Sequence, residues 1–322
     1  MFVIRGENSL MRNVYFNHDG SVDDLVSLLL LLQMPDVHLT GVGVVGADSY
    51  LEPALSASRK IIDRFGKGAQ LNVAASNSRG VHPFPKEWRM DAFSLDALPI
   101  LNESGTVTTP VASKPAHLDL IDKVQETPGK TTLVMTGPLT DLARALETDP
   151  SITAKIDKLY WMGGTFDGRG NVAEPEQDGT TEWNAYWDPQ AVKTVWDSDL
   201  AIQMVGLEST RQVPLTPAIR QHWATLRQHP AIDFIGQGYA LVPPLEHFET
   251  NSTYFLWDVL TTVASDTPSI VTTKEVTSDV LTTGPGQGRT FEVADGRPLT
   301  LVTTVDHDGF FRRIDELASR AD

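Results

Sequence analysis

The chain has 322 residues, 41% hydrophobic and 21% charged, with a formal net charge of −16. That composition fits a globular protein long enough for one large α/β domain or two smaller ones, and so acidic a balance argues against non-specific binding to nucleic acid or an anionic membrane. It contains no cysteine, which excludes disulfides, thiolate catalysis and zinc–thiolate sites.

Met1 to Arg12 carries polar and charged residues without a signal-peptide core and is expected as a flexible extension of one domain spanning 1–322. No run reaches ~18 apolar residues, so a cytoplasmic location is expected. A strand beginning at Asn13-Val14-Tyr15 ends in the turn Phe16-Asn17-His18-Asp19-Gly20, and a long apolar run from Val26 to Leu32 predicts a helix. Val37 to Val45 predicts a strand, Tyr50 to Phe65 a helix and Leu71 to Ala75 a short strand. Ser78 to Gly105 reads as a long connection, rich in Pro and Gly, with Trp88 in it; such loops are lids, binding loops or disorder. Then follow a helix at Ala116 to Val124, a strand at Thr131 to Met135, a helix at Leu139 to Leu146 and a strand at Leu159 to Met162. Beyond an irregular stretch come a helix at Ala191 to Trp196, a strand at Ile202 to Leu207, broken helix from Pro214 to Pro244 and helix from Phe255 to Ala264. Glu275 to Thr283 and Leu299 to Val305 alternate like antiparallel strands, and Phe310 to Ala321 closes as a helix. The alternation predicts an open, mostly parallel α/β sheet of Rossmann-like type flanked by helices, with a small antiparallel addition near the C-terminus.

In such sheets ligands sit beyond the carboxyl ends of the strands. Asp19, Asp23 and Asp24 are crowded into the turn after the first strand, and Gly46-Ala47-Asp48, Thr136-Gly137-Pro138 and Gly163-Gly164 follow later strands. Carboxylates at such range need a counter-charge, and all-oxygen donors suit Ca²⁺ or Mg²⁺. Glu182 and Asn184 alternate with Trp183, so an extended segment there puts a carboxylate and a carboxamide on one side, suited to sugar hydroxyls. The glycine-rich 284–288 loop lacks phosphate-loop spacing, and there is no serine nucleophile elbow.

The set His18-Asp19-Gly20-Ser21-Val22-Asp23-Asp24, Thr136-Gly137-Pro138-Leu139, Met162-Gly163-Gly164, Asn171-Val172, Glu182-Trp183-Asn184 with Asp188-Pro189, and Trp257-Asp258 resembles the nucleoside hydrolases, in the family's order along the chain. Pro83-Phe84-Pro85-Lys86-Glu87-Trp88, Ala47-Asp48 and Trp257 resemble the purine-specific members, which prefer inosine, adenosine and guanosine. The resemblance implies a purine nucleosidase. Asp19, Asp24, the Thr136 carbonyl and Asp258 would hold one Ca²⁺, and Asp19 would also be the general base. Asp23, Asn171, Glu182 and Asn184 would clamp ribose. Trp88 and Trp257 would sandwich the base, with Asp48 near its edge. It also implies a homodimer.

Three residues or stretches depart from the family pattern. Asn17 stands where a further Asp is usual, Ala47-Asp48 replaces an Asn of the non-specific members, and the Leu241 to Thr253 loop leaves the leaving-group acid open among Glu246, His247, Glu249 and Tyr254. A non-specific or pyrimidine-preferring hydrolase, a non-catalytic Ca²⁺-dependent nucleoside or sugar binder and a Mg²⁺-dependent phosphohydrolase are the competing expectations.

Overall fold

The computed structural model describes residues 11–247, 249–250 and 253–321. Most of the expected N-terminal extension lies outside these residues, and its last member, Arg12, opens the first strand. The strands are β1 (Arg12–His18), β2 (Val37–Val44), β3 (Val73–Ala75), β4 (Thr131–Met135), β5 (Ile156–Met162), β6 (Ile202–Val205), β7 (Pro214–Leu215), β8 (Tyr254–Phe255), β9 (Val271–Val280), β10 (Thr290–Glu292) and β11 (Arg297–Val305). The helices are α1 (Val22–Gln33), α2 (Leu51–Phe65), α3 (Asp91–Asp96), α4 (Ala116–Glu126), α5 (Thr140–Thr148), α6 (Trp183–Trp187), α7 (Pro189–Trp196), α8 (Leu207–Thr210), α9 (Pro217–Thr225), α10 (Pro230–His247), α11 (Trp257–Asp266) and α12 (His307–Ala318).

Nine strands form one sheet in the order β10-β9-β11-β6-β5-β4-β1-β2-β3. Every pairing from β3 to β11 is parallel; β9 and β10 add antiparallel strands at one edge, as expected. β7 and β8 make a separate antiparallel pair. The chain runs outward from β1 through β2 to β3, then returns to β4 on β1's other side. The ends of β1 and β4 therefore flank a switch point, where the helices that follow them diverge and leave a crevice.

α1 is buried along its length except at Leu32, because it lies between the sheet and α2, α10, α11 and α12. That explains its leucine run: a helix apolar on all sides belongs in a core. One large apolar cluster joins α1, α2 and α10 to α12 to the sheet, and a second lies with α5 and α7. A third is aromatic and small, built by Phe84, Trp183, Tyr186 and Trp187 around Val45, Ala47 and Val172.

The structure corrects four readings. The 78–105 connection contains α3 and two short 3-10 turns. The segment after Glu182 is helical, because the Glu182 carboxylate caps α6 by accepting from the N–H groups of Asn184 and Ala185. Tyr254 and Phe255 pair with β7, so the following helix starts at Trp257. The loop expected from Leu241 begins later, since α10 continues to His247 through Pro243 and Pro244.

Candidate functional site

Gly20 has φ of +93°, and a Cβ there would stand 2.3 Å from the Ala54 Cβ. Only glycine makes this turn cheaply. The turn places Asp19 at the end of β1 and puts Asp23 and Asp24 in the first turn of α1, where the helix dipole favours negative charge. All three carboxylates are buried, as is Asp258 in the first turn of α11.

Hydrogen bonds organise the group. Asp24 accepts from the Ser21 N–H at 2.9 Å and from the Thr136 hydroxyl at 2.6 Å. Asp23 accepts from the Asp258 N–H at 3.2 Å, and Asp19 from the Asp48 N–H at 3.1 Å. Among the described residues no lysine or arginine forms an ion pair with any of them. Burial and mutual repulsion therefore make Asp19, Asp23 and Asp258 weaker acids. Burial first, then the charge of Asp24, raises Asp23 to about 7. Burial, with the charges of Asp24 and Asp48, holds Asp19 well above the carboxylate range, and burial with Asp23 and Asp24 does the same to Asp258.

Oxygens of Asp23, Asp24 and Asp258 lie within 4.8 Å of one another. An all-carboxylate group so close, buried and without a counter-charge fits a hard divalent cation. The expected ligand set had Asp19 where this triad has Asp23; the Asp23–Asp258 hydrogen bond draws those two elements together, while Asp19 sits beside Asp24. The Thr136 carbonyl accepts from the Asn184 amide at 3.0 Å and retains a second lone pair.

Glu182 is buried, and its carboxylate accepts from the N–H groups of Gly164 at 2.8 Å, Asn184 at 2.8 Å and Ala185 at 3.1 Å. Burial outweighs those donors and raises it to about 7. Asn184 also donates to the Met162 carbonyl at 3.2 Å, and among the described residues its buried Oδ1 meets no donor. Asn171, exposed, accepts from the Trp183 N–H at 3.0 Å.

One cavity of about 200 Å³ collects Asp19, Asp23, Asp48, Trp88, Thr136, Asn171, Glu182, Asn184, Trp257 and Asp258. Every residue expected from the sequence lines it except Asp24, which stands just behind, in the triad. Phe84, Met162, Trp183 and Tyr254 also line it. Phe84, Trp183 and Met162 stand in motifs on which the resemblance rests without a role of their own there, and Tyr254 is one of the leaving-group candidates. The aromatic lining comes in two groups: Phe84 stacks on Trp183 at 5.0 Å and Trp88 meets Trp183 edge-on at 5.7 Å, while Trp257 meets Tyr254 edge-on at 4.7 Å. Of the leaving-group candidates, Tyr254 lines the cavity and Glu249 is exposed, while the side chains of Glu246 and His247 lie outside the described residues. No helix among the described residues is long and apolar enough to cross a membrane.

A family model described as inosine-uridine preferring nucleoside hydrolase matches residues 14–312. The crystal structure of an inosine-uridine preferring nucleoside hydrolase from Bacillus anthracis is similar at 59% identity and a TM-score of 0.92, covering 96% of this chain and 100% of that one. Uridine nucleosidase 1 of Arabidopsis thaliana is 30% identical over 203 residues, 62% of this chain and 57% of that protein; the match thus spans under two thirds of this relative's length. A purine-preferring ribonucleoside hydrolase from Gardnerella vaginalis, 23% identical with a TM-score of 0.77 over 96% of this chain and 99% of that one, shares the fold.

Proposed function

The chain belongs to the inosine-uridine preferring nucleoside hydrolase family, and on that premise we propose that it hydrolyses the N-glycosidic bond of purine ribonucleosides, releasing ribose and the free base, with Ca²⁺ as its resident ion. The observation that carries the reading is a single cavity lined both by a group of buried carboxylates and by aromatic rings. Asp24 and Asp258 of the triad, with Asp19 beside Asp24 and the Thr136 carbonyl, would hold the ion, leaving Asp23, the third member of the triad, to the ribose. Bound there, Ca²⁺ orients a water molecule and makes it more acidic.

Asp19 takes a proton from the attacking water as oxygen bonds to the anomeric carbon and the base departs with the glycosidic electron pair. Positive charge develops on the ribose as that bond lengthens. The surrounding carboxylates stabilise it without reorganising, since their hydrogen bonds already hold them in place. Asp23, Glu182, Asn184 and Asn171 hold the ribose hydroxyls; the Asn184 Oδ1 supplies an acceptor for one of them. Trp88 and Trp257 face the base, with Phe84, Trp183 and Tyr254 completing the apolar wall.

Specificity rests on that wall, because a ribose clamp treats all nucleosides alike. Stacking contributes roughly 1–3 kcal/mol per base, and a purine covers more indole surface than a pyrimidine. A second reading, in which uridine is also a good substrate, is supported by the name of the Bacillus anthracis neighbour.

Release of reducing sugar from inosine and uridine, beside a phosphatase assay, tests the assignment. Inosine turnover should exceed uridine turnover, with no phosphate released. Comparable rates favour the second reading, and no release from either rejects the hydrolase. Asp19→Asn should retain nucleoside binding while turnover falls by about two or more orders of magnitude; near-normal turnover would remove the base role.

A further inference from the structure

Asp141, on the first turn of α5, is a buried carboxylate that the proposed reaction does not use. Its Oδ1 accepts from the hydroxyls of Ser76 and Ser78, both at 2.7 Å, and its Oδ2 from the Asn17 amide at 3.2 Å. One turn along the same helix, Arg144 donates to Asn77 Oδ1 at 2.7 Å and to Ser78 Oγ at 2.8 Å. Every side chain of Ser76-Asn77-Ser78 is thus hydrogen-bonded to α5. The tripeptide follows β3 and begins the 78–105 connection, which carries Phe84 and Trp88 into the cavity. Asn17 lies in β1, two residues before Asp19, and fits only because Gly43 has no side chain; a Cβ there would stand 2.5 Å from the Asn17 Nδ2. Further along the connection, the Trp187 carbonyl accepts from the N–H groups of Val81 and His82, the Arg89 carbonyl accepts from the Tyr50 N–H, and the Arg89 guanidinium donates to the Gly46 carbonyl.

We propose that Asp141, together with Arg144, is a positioning unit that fixes the root of the base-binding loop to the strand end carrying Asp19. It sets the distance between the aromatic wall and the carboxylate corner, and hence the affinity for the base. Charge-assisted hydrogen bonds in a buried setting are strong enough for this, and the carboxylate collects three donors from two separate segments, β1 and the tripeptide after β3. The proposal rests on the reading of the aromatic wall as the base subsite.

Three variants test it: Asp141→Asn; Ser78→Ala, which deletes the hydroxyl joining Asp141 to Arg144 and is mild enough to preserve folding if Asp141→Asn does not; and Arg144→Ala. Amide exchange across 79–90 should quicken about tenfold in each folded variant, while exchange in β4 and β5 stays unchanged. The inhibition constant of free hypoxanthine should rise about tenfold, and that of free ribose should stay within about twofold. Unchanged exchange across 79–90 overturns the anchor, as does an equal rise for hypoxanthine and ribose, which marks a general loss of stability. If the native protein hydrolyses no nucleoside, the functional reading fails, and the exchange measurement still decides whether the anchor exists.

Discussion

Gly137 offers a way to move Asp19 without altering its chemistry. It follows Thr136 at the end of β4, and its carbonyl accepts from the Trp161 indole at 3.1 Å, a bond that a side chain would leave intact. A Cβ at Gly137 would stand 2.9 Å from both Cβ and Cγ of Asp19 and 3.2 Å from its Oδ1, where ordinary contact begins at 3.4 Å. Gly137→Ala therefore forces Asp19 back by at least about 0.5 Å, since the neighbouring β4–α5 turn is itself packed and overpacking is relieved by small shifts. A misplacement of about 1 Å at a reacting group costs on the order of 10²-fold in rate. The expected fall in kcat is about 10- to 100-fold, with stability lower by about 1–3 kcal/mol. KM should change little, because the aromatic wall and Glu182 are untouched. Steady-state release of reducing sugar from inosine, with metal analysis and a thermal melt as controls, measures each quantity. A folded variant with kcat within about twofold of the native protein, or a loss confined to KM, refutes the claim that Asp19 must sit where Gly137 lets it.

Asp24→Ala removes one arm of the triad and the acceptor of the Thr136 hydroxyl, and protein purified without chelator should carry no bound divalent cation by elemental analysis; full occupancy rejects the ligand assignment. Trp257→Ala should lower turnover of inosine far more than that of nitrophenyl riboside, whose leaving group needs no protonation; equal losses reduce the tryptophan to a positioning role. Glu182 and Asp23, both raised to about 7 by burial, keep their protons in the folded chelated protein at pH values where the unfolded chain has already ionised. The folded state binds more protons there, so stability is full below the ordinary carboxylate range and is lost as pH rises to about 7. The size is about 3 kcal/mol for Glu182 as an upper figure; a chelated protein whose melting temperature rises with pH over that window contradicts the shifts.

The crowded acidic turn, the alternation of strands and helices and the buried leucine run of α1 were all legible in the sequence, because each is a local pattern: Gly20 needs a positive φ, carboxylates favour a helix start, and apolar runs of strand or helix length seek burial. The resemblance of the motifs located the cavity's residues without placing them relative to one another. Glu182 and Asn184 line one cavity, but not through the extended segment the alternation suggested, since the Glu182 side chain caps the short helix α6 and also accepts from the distant Gly164 N–H. Phe255 read as the start of a helix until β7 offered it a partner.

Only the tertiary structure decided which carboxylates converge. Asp23 and Asp258 are 235 residues apart and meet through one backbone N–H; Asp141 gathers Asn17, Ser76 and Ser78 from segments that the chain alone does not order. Local propensity acts within a turn or two of backbone, whereas these contacts follow from β4 returning beside β1 to open the crevice. The sequence by itself determined which residue types stand at the strand ends; the strand order determined that those ends share one cavity, because parallel strands in one sheet all deliver their carboxyl ends to the same edge.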